Sequence, residues 1–211
     1  MKRAKEILRR HWGFGSFRPL QEEIVRSVLD GHDTLGLMPT GGGKSVAFQV
    51  PGLVLGGLTV VVTPLISLMK DQVDNLRARR VKAVFFHSAM SSREIRMAWE
   101  RLANDGCSFL YLAPERLRNH RFLQELRHLP IRLIVVDEAH CISQWGYDFR
   151  PSYLGIAELR KVAPKAAVVA LTATATPEVV ADICRELDFR PDARVVKASF
   201  ARDNISYIVR P

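Results

Sequence analysis

A glycine-rich segment, MPTGGGKS at residues 38–45, directly follows an apolar stretch of the chain. Glycines between a strand and a helix leave several backbone N–H groups open to a ligand, at the positive end of the helix dipole. Lys44 would reach the β- and γ-phosphates of a nucleoside triphosphate, and the Ser45 hydroxyl would hold the Mg²⁺ that bridges them. The candidate phosphate-binding residues are Thr40, Gly41, Gly42, Gly43, Lys44 and Ser45.

The strict P-loop pattern has a further glycine at the position of Met38. The segment therefore departs from that pattern at its first position. A glycine-rich turn that only caps a helix remains open as the alternative.

A second candidate site follows the apolar run in RLIVVDEAH, residues 132–140. One carboxylate of the pair Asp137 and Glu138 can hold the Mg²⁺ shell, while the next orients or activates an attacking water. His140 can hydrogen-bond toward the γ-phosphate. Acidic pairs after strands are also common helix N-caps, but a nearby P-loop favours catalysis. We expect Lys44, Asp137, Glu138 and His140 to be catalytic, with Ser45 and Asp137 as metal ligands.

The segment WGFGSFRPLQ at residues 12–21 carries features that could recognise a base. The amide of Gln21 can pair with the N6 and N7 edge of adenine, and the ring of Phe14 can stack on the base. This pairing would select ATP over GTP. A helix-start glutamine on a solvated face is the alternative for Gln21.

These candidate sites require elements that bring them together, and the sequence alternates between two periodicities. Six β-rich runs are DTLGLM (33–38), LTVVVT (58–63), KAVFFH (82–87), SFLYLA (108–113), RLIVVD (132–137) and AAVVALT (166–172). Segments with helical spacing lie between them, as in residues 65–76 and 95–102. The pattern predicts an α/β fold with a mostly parallel sheet, helices on both faces and ligands at the carboxyl ends of the strands.

The composition favours one compact domain with an anionic partner. The 211 residues are 47% hydrophobic and 25% charged, enough for a sizeable core. The formal net charge of +9 is compatible with nucleic acid, although many basic proteins have no such partner. The three cysteines lie far apart, so we expect neither a disulfide framework nor a zinc site, and a reduced intracellular setting.

The tail of the sequence, residues 198–211, follows the last predicted strand without obvious periodicity. The first twelve residues lack the apolar segment of a signal peptide, and no run reaches the ~18 apolar residues of a membrane helix. We therefore expect a soluble protein with no membrane partner. The prediction is one domain at residues 1–197, closed by a strand near Val195 and Val196, and a connector at residues 198–211.

The chain contains six motifs in this order: WGFGSFRPLQ, MPTGGGKS, TPLISLMKDQV, YLAPERL, VDEAHCISQWGYDFRPSY and ALTATAT. Together they resemble the motifs of the RecQ family of superfamily 2 DNA helicases. The resemblance runs from about Trp12 to Tyr207. It accounts for Met38, because superfamily 2 helicases carry a relaxed P-loop without the first glycine, unlike kinases and GTPases. It implies a RecA-like first lobe, ATP and Mg²⁺ as cofactors, and 3′ to 5′ DNA helicase activity in repair and recombination.

The resemblance also assigns residues. Phe14, Arg18 and Gln21 match the family's nucleotide-recognition motif. Its P-loop is matched by Gly41, Gly43, Lys44 and Ser45, and its catalytic box by Asp137, Glu138 and His140. The segment 143–150 matches the aromatic-rich loop that couples single-stranded DNA to hydrolysis. The predicted DNA-binding or coupling residues of that loop are Gln144, Trp145, Tyr147, Phe149 and Arg150.

Physical reasoning supports the role of the aromatic loop independently. Trp145, Tyr147 and Phe149 offer faces on which bases stack regardless of sequence, and Arg150 offers charge. Because the loop begins just behind His140, DNA contact could move the catalytic edge. Aromatic rings packed as core beneath a loop remain the alternative. Position 147 is often histidine in the family, so the role of Tyr147 in coupling stays open.

Two further motifs match the family's DNA-binding and coupling segments. Ser67 and Lys70 lie near a strand end and helix start, where they can grip a DNA phosphate. Thr172 and Thr174 match the motif that links hydrolysis to strand separation. A solvated lysine and ordinary β-forming threonines are the alternatives. The basic run RARRVK at residues 77–82 is better explained as a solvated face.

The family's second RecA-like lobe, zinc-binding region and winged-helix domain have no counterpart in this sequence. Two hypotheses follow. Either the chain is the motor lobe of an ATP-dependent helicase acting on single-stranded and partly duplex DNA, or it is a nucleotide- and DNA-binding module with negligible turnover. The expected location is the bacterial cytoplasm near the nucleoid, or the nucleus in a eukaryote.

Overall fold

The computed structural model describes residues 1–197, so the predicted connector at 198–211 lies outside the described residues. The strands are β1 (Thr34–Leu37), β2 (Leu58–Val62), β3 (Ala83–Phe86), β4 (Phe109–Leu112), β5 (Ile131–Val136), β6 (Ala167–Thr172) and β7 (Arg194–Lys197). The α-helices are α1 (Lys2–Trp12), α2 (Pro19–Leu29), α3 (Lys44–Leu55), α4 (Ile66–Ala78), α5 (Ser92–Asn104), α6 (His120–Leu126), α7 (Ala157–Val162) and α8 (Pro177–Glu186). Short 3₁₀ segments span Pro114–Arg118, Ala139–Ile142 and Pro151–Ile156.

The seven strands form one sheet in the order β3-β4-β2-β5-β6-β1-β7. Every strand pair in the described residues is parallel. An α-helix lies between each strand and the next, as crossovers between parallel strands require. The structure confirms the predicted parallel α/β fold.

Helices cover both faces of the sheet, which explains why the strands are continuous apolar runs. All residues of β2 and of β6 are buried, because each face loses its solvent to a helical layer. On one face α2, α3 and α4 contribute Ile24, Phe48 and Met69 to the core. On the other face α5, α6, α7 and α8 contribute residues such as Leu102 and Ile183.

Helix α1 forms a third, outer layer on the first helical face. Its buried residues Ala4 and Leu8 pack with Val25 of α2 and with Val46 and Val50 of α3. The helix ends at Gly13, which adopts a left-handed backbone conformation. This end delivers the predicted base-recognition segment to the side of the P-loop.

A buried carboxylate ties the amino-terminal edge of the sheet together. Asp33, just before β1, accepts hydrogen bonds from the side chains of Arg160 and Arg190 and from the backbone N–H of Val168. Burial by itself would raise the pKa of Asp33, but these hydrogen bonds outweigh it and lower the pKa to about 2. The cluster fixes β1, β6 and the segment before β7 in register.

The opposite, carboxyl-terminal edge carries the loops with candidate chemistry. The loop after β1 carries the glycine-rich segment, and the segments after β2, β5 and β6 carry the predicted catalytic, DNA-binding and coupling residues. Strands β5 and β1 both pair with β6, so their loops lie close together. None of the described helices has the length and apolar character needed to cross a bilayer.

Candidate nucleotide site and aromatic loop

The glycine-rich segment forms an open nest at the start of α3. Gly41 and Gly43 have positive φ angles of 77° and 80°, which a side chain would disfavour. A Cβ at Gly43 would also collide with the amide of Gln21. The first turn of α3 has no side-chain cap. Its N-terminus therefore fits an anionic group, as a phosphate-binding loop requires.

Lys44 points from this nest toward the acidic pair after β5. Its Nζ donates a hydrogen bond to Oε1 of Glu138 at 2.9 Å. Both side chains are largely buried. The structure thus brings the P-loop lysine and the predicted catalytic glutamate into contact, although 94 residues separate them in the chain.

Asp137 lies deeper than its neighbour, directly at the end of β5. Burial raises the pKa of this carboxyl to about 6, and Lys44 only partly opposes the effect. Its Oδ1 accepts the backbone N–H of Glu138, and the Tyr153 hydroxyl donates to its carbonyl oxygen at 3.0 Å. A buried carboxylate whose charge is this costly fits a divalent cation, which would stabilise the charged form.

Glu138 and His140 occupy the turn after Asp137. Glu138 has a left-handed backbone with φ 48°, a strained conformation for a residue with a side chain. His140 Nδ1 lies 2.9 Å from Thr172 Oγ1 and 3.4 Å from Glu138 Oε2. Burial lowers the pKa of His140, so the imidazole is neutral at neutral pH. The predicted catalytic box and the motif after β6 are therefore joined by a hydrogen bond.

The base-recognition segment contacts the P-loop from the side of α2. The Gln21 amide is buried and donates to the carbonyl oxygens of Gly42 and Gly43, both at 3.2 Å. Arg18 donates to the carbonyl oxygen of Gly41 at 2.8 Å, and Phe14 is exposed beside them. Gln21 is therefore hydrogen-bonded to the P-loop. Contact of its amide with adenine would require these two hydrogen bonds to break.

The aromatic loop at residues 143–150 lies against the catalytic box. The Tyr147 ring stacks on His140, with ring centroids 4.7 Å apart and planes at 18°. Gly146 passes so close that a Cβ there would meet the His140 carbonyl oxygen at 2.6 Å. Trp145 and Tyr147 are 78% and 80% exposed, whereas Phe149 is partly buried. Two aromatic rings are largely exposed to a ligand, and the third is half-buried.

Arg150, the predicted cationic residue of the aromatic loop, forms an ion pair within that loop. Arg150 donates to the carboxylate of Asp148 at 2.9 Å and its backbone N–H donates to the carbonyl oxygen of Cys141 at 2.8 Å. The buried Cys141 thiol in turn contacts the same carboxylate at 3.6 Å. Burial raises the pKa of Cys141 to about 12, so the group is a neutral thiol. Contact of Arg150 with DNA would require exchange of its bond to Asp148.

An apolar cavity of about 390 Å³ opens between the aromatic loop and the loop after β6. His140, Trp145 and Tyr147 line one side, and Thr174, Ala175 and Val179 line the other. Its position beside exposed rings suits a planar, partly apolar group such as a nucleobase.

The remaining predicted residues lie along the same edge. Ser67 and Lys70 are exposed in the first two turns of α4, which has no side-chain cap at its start. Gln144 and Thr174 are exposed, and Thr172 is buried at the end of β6. Thr40 and Ser45 flank the nest, the first exposed and the second partly so. Every predicted site residue therefore lies at or near the carboxyl edge of the sheet.

Several supporting residues around this edge could not be predicted from the sequence. Tyr153 braces the strand end at Asp137, and Asp148 holds Arg150. Asp182 of α8 binds Ser143 at the start of the aromatic loop. Asp148 and Tyr153 belong to the motif at residues 136–153, so their place in the sequence indicated a role at the site. Asp182 lies in the middle of α8, outside any motif, and nothing in the sequence indicated its role.

The fold and the site define a nucleotide-binding helicase lobe. The family model for DEAD/DEAH box helicase matches residues 18–183. The chain therefore belongs to the DEAD/DEAH box helicase family.

Its sequence relatives are RecQ helicases. It is 43% identical to the ATP-dependent DNA helicase RecQ of Bacillus subtilis over 99% of this chain and 36% of the relative. It is 41% identical to RecQ of Haemophilus influenzae, over 97% of this chain and 33% of the relative, and 41% identical to mouse ATP-dependent DNA helicase Q5, over 99% and 22%. The chain thus spans about a third of the bacterial relatives' length.

Solved helicase structures share the fold. A hypothetical ATP-dependent RNA helicase from Sulfolobus tokodaii superposes with a TM-score of 0.69 at 21% identity, over 94% of this chain and 57% of that chain. The Hef helicase domain of Pyrococcus furiosus gives 0.63 at 22% identity, over 86% and 38%. At this identity the likeness concerns the fold, which is RecA-like.

Proposed function

We propose that the nest at the start of α3 binds the phosphates of ATP and that Ser45 and Asp137 hold its Mg²⁺. The uncapped helix start and the costly charge of buried Asp137 support this assignment. Bound Mg²⁺ would neutralise charge on the β- and γ-phosphates. Lys44 would exchange its bond with Glu138 for the phosphates, which frees that carboxylate.

Glu138 is the residue that would orient and activate the attacking water. Released from Lys44, its carboxylate stays beside His140, whose neutral imidazole can hold it in place or hydrogen-bond toward the γ-phosphate. Phe14, Arg18 and Gln21 would take the base, with Gln21 turning from the P-loop carbonyls to adenine. Binding of ATP would then break the hydrogen bonds between Gln21 and the P-loop carbonyls.

The aromatic loop would couple single-stranded DNA to this chemistry. Bases would stack on the free faces of Trp145 and Tyr147, while Ser67 and Lys70 hold a phosphate of the strand. Gln144, Phe149, Arg150 and Thr174 would complete the contact surface. Because Tyr147 already stacks on His140, a base that displaces or tilts this ring acts directly on the catalytic box.

The stack of Tyr147 on His140 is the observation that carries the proposal. It favours a motor lobe in which DNA contact acts on the catalytic box. From the resemblance to RecQ helicases alone we infer that this lobe, with a second lobe, drives 3′ to 5′ translocation and unwinding of DNA in repair and recombination. The alternative is a nucleotide- and DNA-binding module with negligible turnover, in the bacterial cytoplasm or in a nucleus. The positive net charge agrees with both alternatives, because DNA is the partner in each.

A binding and turnover experiment on the 211-residue chain tests the proposal. We expect a fluorescent ATP analogue to bind in the presence of Mg²⁺, and single-stranded oligothymidylate to perturb Trp145. Glu138→Gln is the matched variant, because it keeps the shape of the side chain and removes the charge. It should bind the analogue and lose residual hydrolysis. Absence of Mg²⁺-dependent nucleotide binding would contradict the proposal.

A further inference from the structure

A buried hydrogen bond joins the aromatic loop to a helix that contributes nothing to the proposed chemistry. The Ser143 hydroxyl donates to Oδ2 of Asp182, in the middle of α8, at 2.7 Å. Ser143 is fully buried and Asp182 is only 7% exposed. The hydrogen bond from Ser143 lowers the pKa of Asp182, so its carboxylate is charged at neutral pH. A hydrogen bond to a buried charged group is among the stronger ones in proteins.

The same serine also organises the first turn of the loop. Its hydroxyl oxygen accepts the backbone N–H of Trp145 at 3.1 Å, and its carbonyl oxygen accepts the backbone N–H of Gly146 at 3.0 Å. Asp182 therefore orients a hydroxyl that in turn fixes the backbone beneath the exposed indole. Ser143 is therefore the one side chain between the carboxylate of Asp182 and the backbone of Trp145.

These bonds close a ring of contacts between the loops after β5 and β6. His140 and Thr172 are hydrogen-bonded at one end of the ring, and Ser143 and Asp182 at the other. Between Thr172 and α8, Thr176 caps the helix by accepting the backbone N–H of Val179. The apolar cavity borders these contacts, so movement of the aromatic loop that keeps the bond between Ser143 and Asp182 must displace α8.

We propose that Asp182 is the positioning residue of the aromatic loop: through Ser143 it holds Trp145 ready for a base and makes α8 and the segment 172–176 move with the loop. The inference rests on the proposed nucleic-acid role of that loop. Asp182 touches neither nucleotide nor DNA in this proposal. Its effect passes through one hydrogen bond to Ser143.

The solvent-side partner of Asp182 provides a matched control. Arg185 forms an ion pair with the other carboxylate oxygen of Asp182 at 2.7 Å, and its side chain is 65% exposed. An exposed ion pair contributes little to stability. Arg185→Ala therefore removes the outer contact of Asp182 and keeps its bond to Ser143.

The test uses the indole N–H signals of the ¹⁵N-labelled chain, which contains three tryptophans. In Asp182→Ala and Ser143→Ala we expect the Trp145 signal to move toward the position of a free indole, while those of Trp12 and Trp99 stay in place. Asp182→Asn keeps an acceptor oxygen and should retain the native Trp145 signal. Arg185→Ala should also retain it. A native Trp145 signal in both alanine variants would overturn the inference.

A titration with single-stranded oligothymidylate of about twelve nucleotides tests the transmission. In the unmodified chain we expect shifts at Trp145 and at the amides of Val180 and Ile183, which lie on α8 and pack in the core away from the cavity. In Asp182→Ala the Val180 and Ile183 shifts should fall about tenfold at saturating DNA, with affinity for Mg-ATP unchanged. Equal shifts in both proteins would contradict transmission through Asp182. If oligothymidylate leaves the unmodified chain unperturbed, the DNA function fails, and the DNA-free indole signal still decides the role of Asp182.

Discussion

Lys44 and Glu138 form an ion pair in the candidate nucleotide site. The 2.9 Å contact gives both side chains a partner while they are largely shielded from water. A buried charge without a partner is costly, so this pairing stabilises both side chains. If the site binds ATP as proposed, the phosphates would compete with Glu138 for Lys44, and phosphate binding would release the carboxylate.

Replacement of this lysine tests the P-loop assignment. We expect Lys44→Ala to weaken Mg-ATP binding at least about tenfold, because it removes the mobile cation aimed at the β- and γ-phosphates. Titration with a fluorescent ATP analogue measures the effect. Lys161→Ala is the control, since Lys161 is an exposed lysine paired with Glu158 on α7. Equal affinity in Lys44→Ala and the unmodified chain would refute the assignment.

The exposed indole of the aromatic loop permits a second test at a single residue. In a protein that also carries the second lobe, Trp145→Ala should leave DNA-independent ATP binding intact and abolish most of the DNA stimulation. The stacking face is lost, whereas the phosphate nest is unchanged. Trp145→Phe keeps an aromatic face and should retain much of the response. Full stimulation in the alanine variant would assign the loop a structural role only.

At the scale of elements, the Asp33 cluster holds the edge of the sheet opposite the site. Asp33 is completely buried, and its two arginine partners come from α7 and from the segment before β7. Removing one member of a buried ion pair leaves uncompensated charge. The position of β1, and of the P-loop that follows it, therefore depends on a carboxylate far from the chemistry.

We expect Asp33→Asn to lower the free energy of unfolding by about 3 to 5 kcal/mol, because Arg160 and Arg190 lose their buried counter-charge. Urea denaturation at neutral pH measures this loss. Asp30→Asn is the control, since Asp30 is exposed and its contact with Arg194 is 3.6 Å long. A change below about 1 kcal/mol in Asp33→Asn would show that the cluster is not structural.

The same carboxylate predicts a pH dependence. The folded-state pKa of about 2 lies below the ordinary value of 3.8, so the charged form favours the folded state. Its contribution is complete above pH 3.8 and is lost as the pH falls toward about 2. The difference in unfolding free energy between the unmodified chain and Asp33→Asn should therefore narrow as the pH is lowered from neutrality into this window. A constant difference would contradict the assignment.

The strands could be predicted from the sequence because burial on both faces produces continuous apolar runs. All six predicted runs, and the pair Val195–Val196, coincide with strands of the sheet. Most ends of the predicted runs lie within one residue of the strand ends. Asp33 before β1 and Asp137 after β5 lie just outside their strands, where their carboxylates accept backbone N–H groups. The short helices α6 and α7 carry too few turns for a clear periodicity.

The site was predictable to the extent that its residues come in short motifs. Contacts between motifs were not, because they depend on how the crossovers fold back on the sheet. The stack of Tyr147 on His140 spans seven residues, and the bond of Ser143 to Asp182 spans 39. Nothing in local spacing places the carboxylate of Asp182 beneath the aromatic loop.

At the scale of the whole molecule, the candidate site of the described residues lies along one edge of the sheet. Lys44, Glu138 and His140 lie along the carboxyl ends of the strands, and the aromatic loop borders them. The bacterial RecQ relatives are about three times longer than the region they share with this chain. A cleft that closes over the γ-phosphate would form when a second lobe faces this edge.

We therefore expect the purified 211-residue chain to bind Mg-ATP, hydrolyse it slowly, bind single-stranded DNA weakly and unwind no duplex. Phosphoryl transfer depends on charge stabilisation around the γ-phosphate, and an arginine from a facing surface can contribute about 10³ to 10⁵ in rate. With the edge open to water, the transition state gains little over the ground state. Steady-state hydrolysis with and without oligothymidylate, over a range of protein concentrations, measures this. Robust DNA-stimulated turnover would contradict it. A rate that rises with the square of the protein concentration would then assign the arginine to a neighbouring copy, and a first-power dependence to the chain itself.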